Sequence, residues 1–220
     1  GNFVYGGMDS INALASNMAN SDIILVNSAG NNQRIAMAPG WYATATNADG
    51  SLMLDGRLII VGSYDSASGT NNSHSANAGS ICWDVVNDVC QDEYTVSDFF
   101  IRAPEAMTSL DNNGDNYVNM NGTSMAAPVV TGSLALLRQM WPHMTGSNTV
   151  DLMLSTADKT YSGYNAGLDG QGRLDMDAAT TPIGATGIPT DGRTDGFVIS
   201  SNGYVAGNNN LPNSLSSLIV

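Results

Sequence analysis

The chain has 220 residues, 42% of them hydrophobic and 12% charged, with 24 glycines, which is enough for one domain with a real core and too apolar for a disordered chain. Twenty acidic residues against seven basic ones leave a net charge of −13. That balance argues against nucleic acid and against an anionic membrane surface as partners, and it suits a secreted protein; no apolar run approaches the roughly 20 residues of a membrane helix.

Residues 10–21 carry Ile11, Leu14 and Met18 at helical spacing behind a capping Ser10, which predicts a helix. Ile23-Ile24-Leu25-Val26 is a short continuous apolar run, the mark of a strand buried on both faces of a parallel sheet. It leads directly into Asn27-Ser28-Ala29-Gly30-Asn31-Asn32. Leu58-Ile59-Ile60-Val61-Gly62 predicts a second buried strand. Segment 63–98 is polar and irregular and holds Cys82 and Cys90. Their spacing permits a disulfide clip on a loop or two free thiols, and the segment offers too few ligands for zinc.

Phe99 to Pro104 predicts a third short strand. Residues 125–141 form the strongest helical pattern, with Val129, Val130, Leu134, Leu137, Met140 and Trp141 as its core side. Residues 147–156 and 174–180 predict shorter helices. Strands alternating with helices indicate an α/β layered domain. From Thr181, Pro182, Gly184, Gly187, Pro189 and Gly192 break any long element. The reading is a domain over 1–180 and a Gly/Pro/Asn-rich tail over 181–220, with short strand candidates at 197–199 and 217–220.

Asn121-Gly122-Thr123-Ser124-Met125-Ala126-Ala127-Pro128 carries the chemistry. Gly122 permits a sharp turn, and Ser124 then stands at a helix N-terminus, where free N–H groups and the helix dipole favour negative charge. Ala126 and Ala127 allow close packing, and Pro128 is expected in the first turn, where its missing N–H costs nothing. The run Gly122 to Pro128 resembles the serine motif of the subtilisin-like serine peptidases. The resemblance extends loosely over 1–180, through Ser28-Ala29-Gly30-Asn31, Ile59 to Asp65, Ile101 to Glu105 and Gly170 to Ala179. Glu105 departs from the glycine usual in that family.

The resemblance implies a subtilisin-like three-layer domain around a mostly parallel sheet. It implies Ser124 as nucleophile and the Asn31 amide as oxyanion donor, with Ser28, Ala29 and Gly30 along the pocket for the side chain before the scissile bond. The family's Asp and His motifs occur nowhere in the chain. His74 falls in the wrong motif and order, and reads as a solvated loop residue; His143 follows the serine helix. The expectation is therefore an endopeptidase component acting on peptides or proteins, extracellular or at the cell surface. Its N-terminal strands, and the Asp and His, would come from an N-terminal segment outside this sequence. The alternative is a non-catalytic structural or binding protein on a truncated peptidase scaffold, which has no chemical need for an intact serine motif.

Acyl transfer by a serine needs no cofactor. Asp111, Asn113 and Asp115, in Asp111-Asn112-Asn113-Gly114-Asp115-Asn116-Tyr117, place oxygen ligands as in half of a calcium loop. The glutamate of a full loop is replaced by Gly122, so a Gly/Asn-rich turn is the other reading.

Overall fold

The computed structural model describes residues 7–181 apart from 72, 73, 87, 88 and 92. In chain order the elements are α1 (Gly7–Met18), β1 (Leu25–Ser28), α2 (Met37–Thr44), β2 (Leu58–Asp65), β3 (Thr70–Asn71), β4 (Val85–Val86), β5 (Val89–Cys90), a 3₁₀ turn (Val96–Phe99), β6 (Phe100–Pro104), β7 (Met107–Leu110), β8 (Tyr117–Met120), α3 (Thr123–Met140), α4 (Gly146–Ser155), α5 (Ala166–Asp169) and α6 (Met176–Thr180). The chain divides into two units at Met176/Asp177, and only residues 177–181 of the second are described. The strand candidates at 197–199 and 217–220 lie outside the described residues.

β2 is the spine of the first unit. It runs parallel to β1 on one side and to β6 on the other, and β3 folds back antiparallel on its end. Leu58 and Ile60 of β2 and Phe100 of β6 join Ile11 and Met18 of α1 and Ala43 of α2 in one core cluster. Strand side chains alternate, so Ile59, Val61 and Ile101, all fully buried, face the other way. There α3 packs across β1, β2 and β6. The result is a three-layer α/β domain whose central strand reads as an unbroken apolar run because helices cover both its faces.

The structure corrects several expectations. Ile23 lies ahead of β1 and is 52% exposed, and β1 is only half-buried. The reason is position: among the described residues β1 pairs on one side alone, with β2. The short helix α2 is absent from the sequence reading, which assigns no element there; it contains Pro39 and Gly40, both poor helix formers. Pro39 sits in the first turn, where no N–H is needed, and a Cβ at Gly40 would collide with the Val96 side chain. Segment 63–98 contains β3 and the hairpin β4–β5. There Cys82 and Cys90 are joined in a disulfide, with Cα atoms 5.7 Å apart. On α3, Val130, Leu134 and Leu137 are buried as the spacing requires, while Met140 is 47% exposed at the last turn.

Arg102 of β6 is the largest fully buried side chain, and all five of its N–H groups are used. Nε donates to Asp169 Oδ1 at 2.6 Å. Nη1 reaches the Ser63 carbonyl at 2.9 Å and Ser75 Oγ at 3.1 Å. Nη2 reaches Asn77 Oδ1 at 2.9 Å and the Leu168 carbonyl at 3.0 Å. One guanidinium thus ties the sheet to loop 74–77 and to α5. Arg173 completes the closing turn, with its guanidinium carbon 3.6 Å from the Tyr161 ring centre and 4.4 Å from that of Tyr64.

Removing one member of a buried ion pair leaves an uncompensated charge. Arg102→Met is expected to cost about 3–5 kcal/mol in a urea unfolding curve, and the double change Arg102→Met with Asp169→Leu to recover a large part of that loss.

Candidate active site

The carboxyl ends of β1, β2 and β6 and the N-terminus of α3 meet at one end of the sheet. β1 ends at Ser28, half-buried, followed by buried Ala29 and by Gly30 with φ 102°. The Ala29 N–H continues the ladder to the Val61 carbonyl at 2.8 Å. Asn31 then turns to the start of α3. Its Oδ1 accepts the Thr123 N–H at 3.0 Å and the Thr123 hydroxyl at 3.0 Å. The Thr123 hydroxyl in turn accepts the Gly30 N–H at 3.2 Å. Thr123 is fully buried and uses its hydroxyl once as donor and once as acceptor.

This lock fixes the Asn31 amide plane. With the carbonyl oxygen committed to Thr123, the Nδ2 group is the free end, and it finds no acceptor among the described residues. Gly122 supplies the matching space. Its φ of 119° favours glycine, and a Cβ there would stand 3.1 Å from Asn31 Nδ2. Ser124 follows, exposed, as the second residue of α3. First-turn N–H groups have no partner inside a helix; that of Thr123 goes to Asn31, and that of Ser124 has no acceptor among the described residues. The geometry therefore brings the Asn31 amide, the start of α3 and Ser124 together at one point, with Ser28, Ala29 and Gly30 leading to it.

Pro128 lies in the second turn, not the first. A proline there cannot donate to the carbonyl four residues earlier, which is that of Ser124. Thr123 is the functional neighbour that the sequence reading passed over; its signal was its place between Gly122 and Ser124, where a hydroxyl can tie two loops.

His143 is exposed beyond the far end of α3, a helix of 18 residues and so about 27 Å long. His74 is half-buried, with Nε2 3.1 Å from Glu105 Oε2, rather than solvated as expected for its polar loop. The 111–117 loop caps the hairpin β7–β8. Asp111 Oδ1 accepts the N–H groups of Asn113 and Asp115, both at 3.1 Å, and Oδ2 accepts the Asn116 amide at 3.2 Å. The Asn116 bond and these backbone donors hold the Asp111 carboxyl below its ordinary pKa. Among the described residues no three His, Cys, Asp or Glu side chains gather as a metal site. No helix among them is long and apolar enough to cross a membrane.

Removing the Thr123 hydroxyl frees both loops. Thr123→Val is expected to lower stability by about 1–3 kcal/mol, the cost of leaving buried polar groups without partners, and to raise amide hydrogen exchange at Gly30.

The model of the subtilase family (Peptidase_S8) matches residues 3–174. Mycosin-4 of Mycobacterium tuberculosis is 37% identical over 98 residues, covering 40% of this chain and 21% of that protein. An extracellular protease of Xanthomonas campestris is 27% identical over 149 residues, covering 63% of this chain and 26% of that protein. The chain thus spans about a quarter or less of the length of these relatives. In fold it is similar to the self-cleaved protease domain of PatA, with a TM-score of 0.54 at 23% identity over 81% of this chain and 56% of that one. It is also similar to a lanthipeptide protease, with a TM-score of 0.52 at 16% identity over 78% of this chain and 54% of that one. The chain belongs to the subtilase family of serine peptidases.

Proposed function

We propose that this chain is the serine-bearing part of a subtilisin-like endopeptidase that cleaves peptide bonds by acyl transfer to Ser124. The observation that carries the reading is the Asn31–Thr123 lock beside Ser124. It leaves the Asn31 side-chain NH2 group and the Ser124 N–H without an acceptor among the described residues, at the start of a helix, where a tetrahedral oxyanion is stabilised by fixed donors. Ser124 attacks the carbonyl carbon, the leaving amine takes a proton, and water then releases the acyl group. Ser28, Ala29 and Gly30 form a wall for the residue before the scissile bond.

The proton transfers need a base and a group that orients it. We assign both to an N-terminal segment carrying the Asp and His, docked beside β1, which among the described residues pairs with β2 alone and can take a further strand. The same edge suits an extended substrate. Without that segment the chain is expected to have negligible activity. The acidic composition and the disulfide fit action outside the cytoplasm. No cofactor is required. Calcium on Asp111, Asn113 and Asp115 would be an addition, and because Asp111 already closes its own loop, calcium titration is expected to leave the melting temperature unchanged; a rise would add the ion.

The test is a fluorophosphonate probe on the chain together with its Asp- and His-bearing segment. Labelling is expected at Ser124 and lost in Ser124→Ala; an intact, uninhibited assembly that stays unlabelled would sink the proposal and favour a non-catalytic scaffold. In the same assembly Asn31→Leu is expected to lower kcat by about 10²–10³-fold with little change in KM, the size known for a side-chain oxyanion donor in this same peptidase family.

A further inference from the structure

β1 leaves the sheet where the Asn31 segment begins. The Ala29 N–H still meets the Val61 carbonyl of β2 at 2.8 Å. Groups on one edge of a strand recur every second residue, so the next rung of a parallel ladder would join Ser63 to the Ala29 carbonyl and the Asn31 N–H. Two side chains take those places. Ser75 Oγ accepts the Ser63 N–H at 2.9 Å, and Arg102 Nη1 donates to the Ser63 carbonyl at 2.9 Å. Asn31 turns instead to Thr123. Ser75 is buried, and its Oγ also accepts Arg102 Nη1 at 3.1 Å and donates to the Ala76 carbonyl at 2.9 Å. One donor and two acceptor positions are all that a hydroxyl has, and each is occupied.

The loop seated by Ser75 grips the Asn31 segment on both sides of Asn31. The Ala76 N–H donates to the Gly30 carbonyl at 2.8 Å, and the Gln33 N–H to the His74 carbonyl at 3.2 Å. Further on, the Asn77 N–H donates to the Arg34 carbonyl at 2.8 Å and the Ala36 N–H to the Asn77 carbonyl at 3.0 Å. Between these bonds the chain turns through Gly30 with φ 102° and Gln33 with φ 60°. A non-glycine residue holds a positive φ at a cost that its surroundings must offset. The turn that presents Asn31 is therefore shaped by loop 74–77, and that loop is seated on β2 by the Ser75 hydroxyl.

We infer that Ser75 is a positioning residue for the reaction at Ser124: its hydroxyl replaces the rung that β1 gives up and so aims the Asn31 amide at the oxyanion. The inference rests on the assignment of Ser124 as nucleophile and Asn31 as oxyanion donor. Without the hydroxyl, the buried Ser63 N–H loses its acceptor and Arg102 Nη1 loses one of two. Buried donors are costly to leave unmatched, so loop 74–77 shifts to rematch them and carries the Gly30 carbonyl and Asn31 with it. A fixed donor stabilises the developing charge only where it is aimed. Substrate binding in the ground state makes no such demand, so the effect falls on kcat.

The experiment measures kcat and KM for one peptide on the chain with its Asp- and His-bearing segment, with kcat counted per Ser124 labelled to completion by the fluorophosphonate probe. Ser75→Ala is expected to lower kcat by about ten- to a hundredfold with little change in KM, the scale of a misaimed group and no more than the loss of the donor itself in this peptidase family. In an Asn31→Leu background the same change is expected to cost less than about twofold, because the group that Ser75 aims is already gone. A general loosening of the fold would instead cost the same factor in both backgrounds. Ser75→Cys keeps a similar volume with a weaker hydrogen-bonding group; it carries the same cycle if Ser75→Ala yields no labelled protein, with a smaller loss that again disappears in Asn31→Leu. A kcat within about twofold of the unmodified protein, or an equal loss in both backgrounds, would overturn the inference and leave Asn31 and Ser124 in their roles. Undiminished kcat in Asn31→Leu alone, or cleavage that survives Ser124→Ala, would overturn the assignments beneath it.

Discussion

The first unit depends on one buried cation. Arg102 sits in the middle of β6, where a solvated guanidinium is impossible, and the fold is arranged so that each of its five donors meets an acceptor. Those acceptors come from β2, from loop 74–77 and from α5, segments spread along the chain from Ser63 to Asp169. Asp169 supplies the counter-charge and also accepts from Asn71 at 2.7 Å and from the Asn165 N–H at 2.9 Å. A buried pair of this kind adds less net stability than its short distance suggests, since desolvation offsets much of the attraction. What it supplies is register, because no shifted packing of these loops would satisfy the same donors.

That register reaches the active end of the sheet through loop 74–77. Ser75 accepts the Ser63 N–H at 2.9 Å as well as an Arg102 donor, and Ala76 holds the Gly30 carbonyl. Gly30 then meets Thr123, and Thr123 fixes Asn31. A continuous run of hydrogen bonds therefore leads from the buried ion pair to Asn31. Each link lies inside the described part of the first unit, so this chain's own packing sets the position of Asn31 beside Ser124.

Much of this was readable from residues. The three parallel strands announced themselves as apolar runs, because both faces of the sheet are covered, and α3 announced itself through Val130, Leu134 and Leu137. The serine motif and Asn31 pointed to one site because each follows a recognisable local context. What was not readable depends on partners distant in sequence. Gly40 is a poor helix former, and its place in α2 depends on Val96, far along the chain, which packs where a Cβ would stand. Thr123 carried no signal beyond its place in the motif, since its worth comes from Gly30 and Asn31, more than 90 residues away. His74 looked solvated because nothing near it in sequence shows that Glu105 lies beside it. Pro128 was placed one turn too early because helix boundaries are weakly encoded in any single sequence.

The position of Pro128 has a mechanical consequence. By removing the hydrogen bond that would tie the Ser124 carbonyl into the second turn, it leaves the first turn of α3 less rigidly coupled to the remaining length of the helix. Strain or rotation in the body of α3, for example where Arg138 pairs with Asp22, is then poorly transmitted to the serine. Ser124 takes its coordinates from the Asn31–Thr123 loop junction, so the long helix serves as a foundation and the short loop as the gauge.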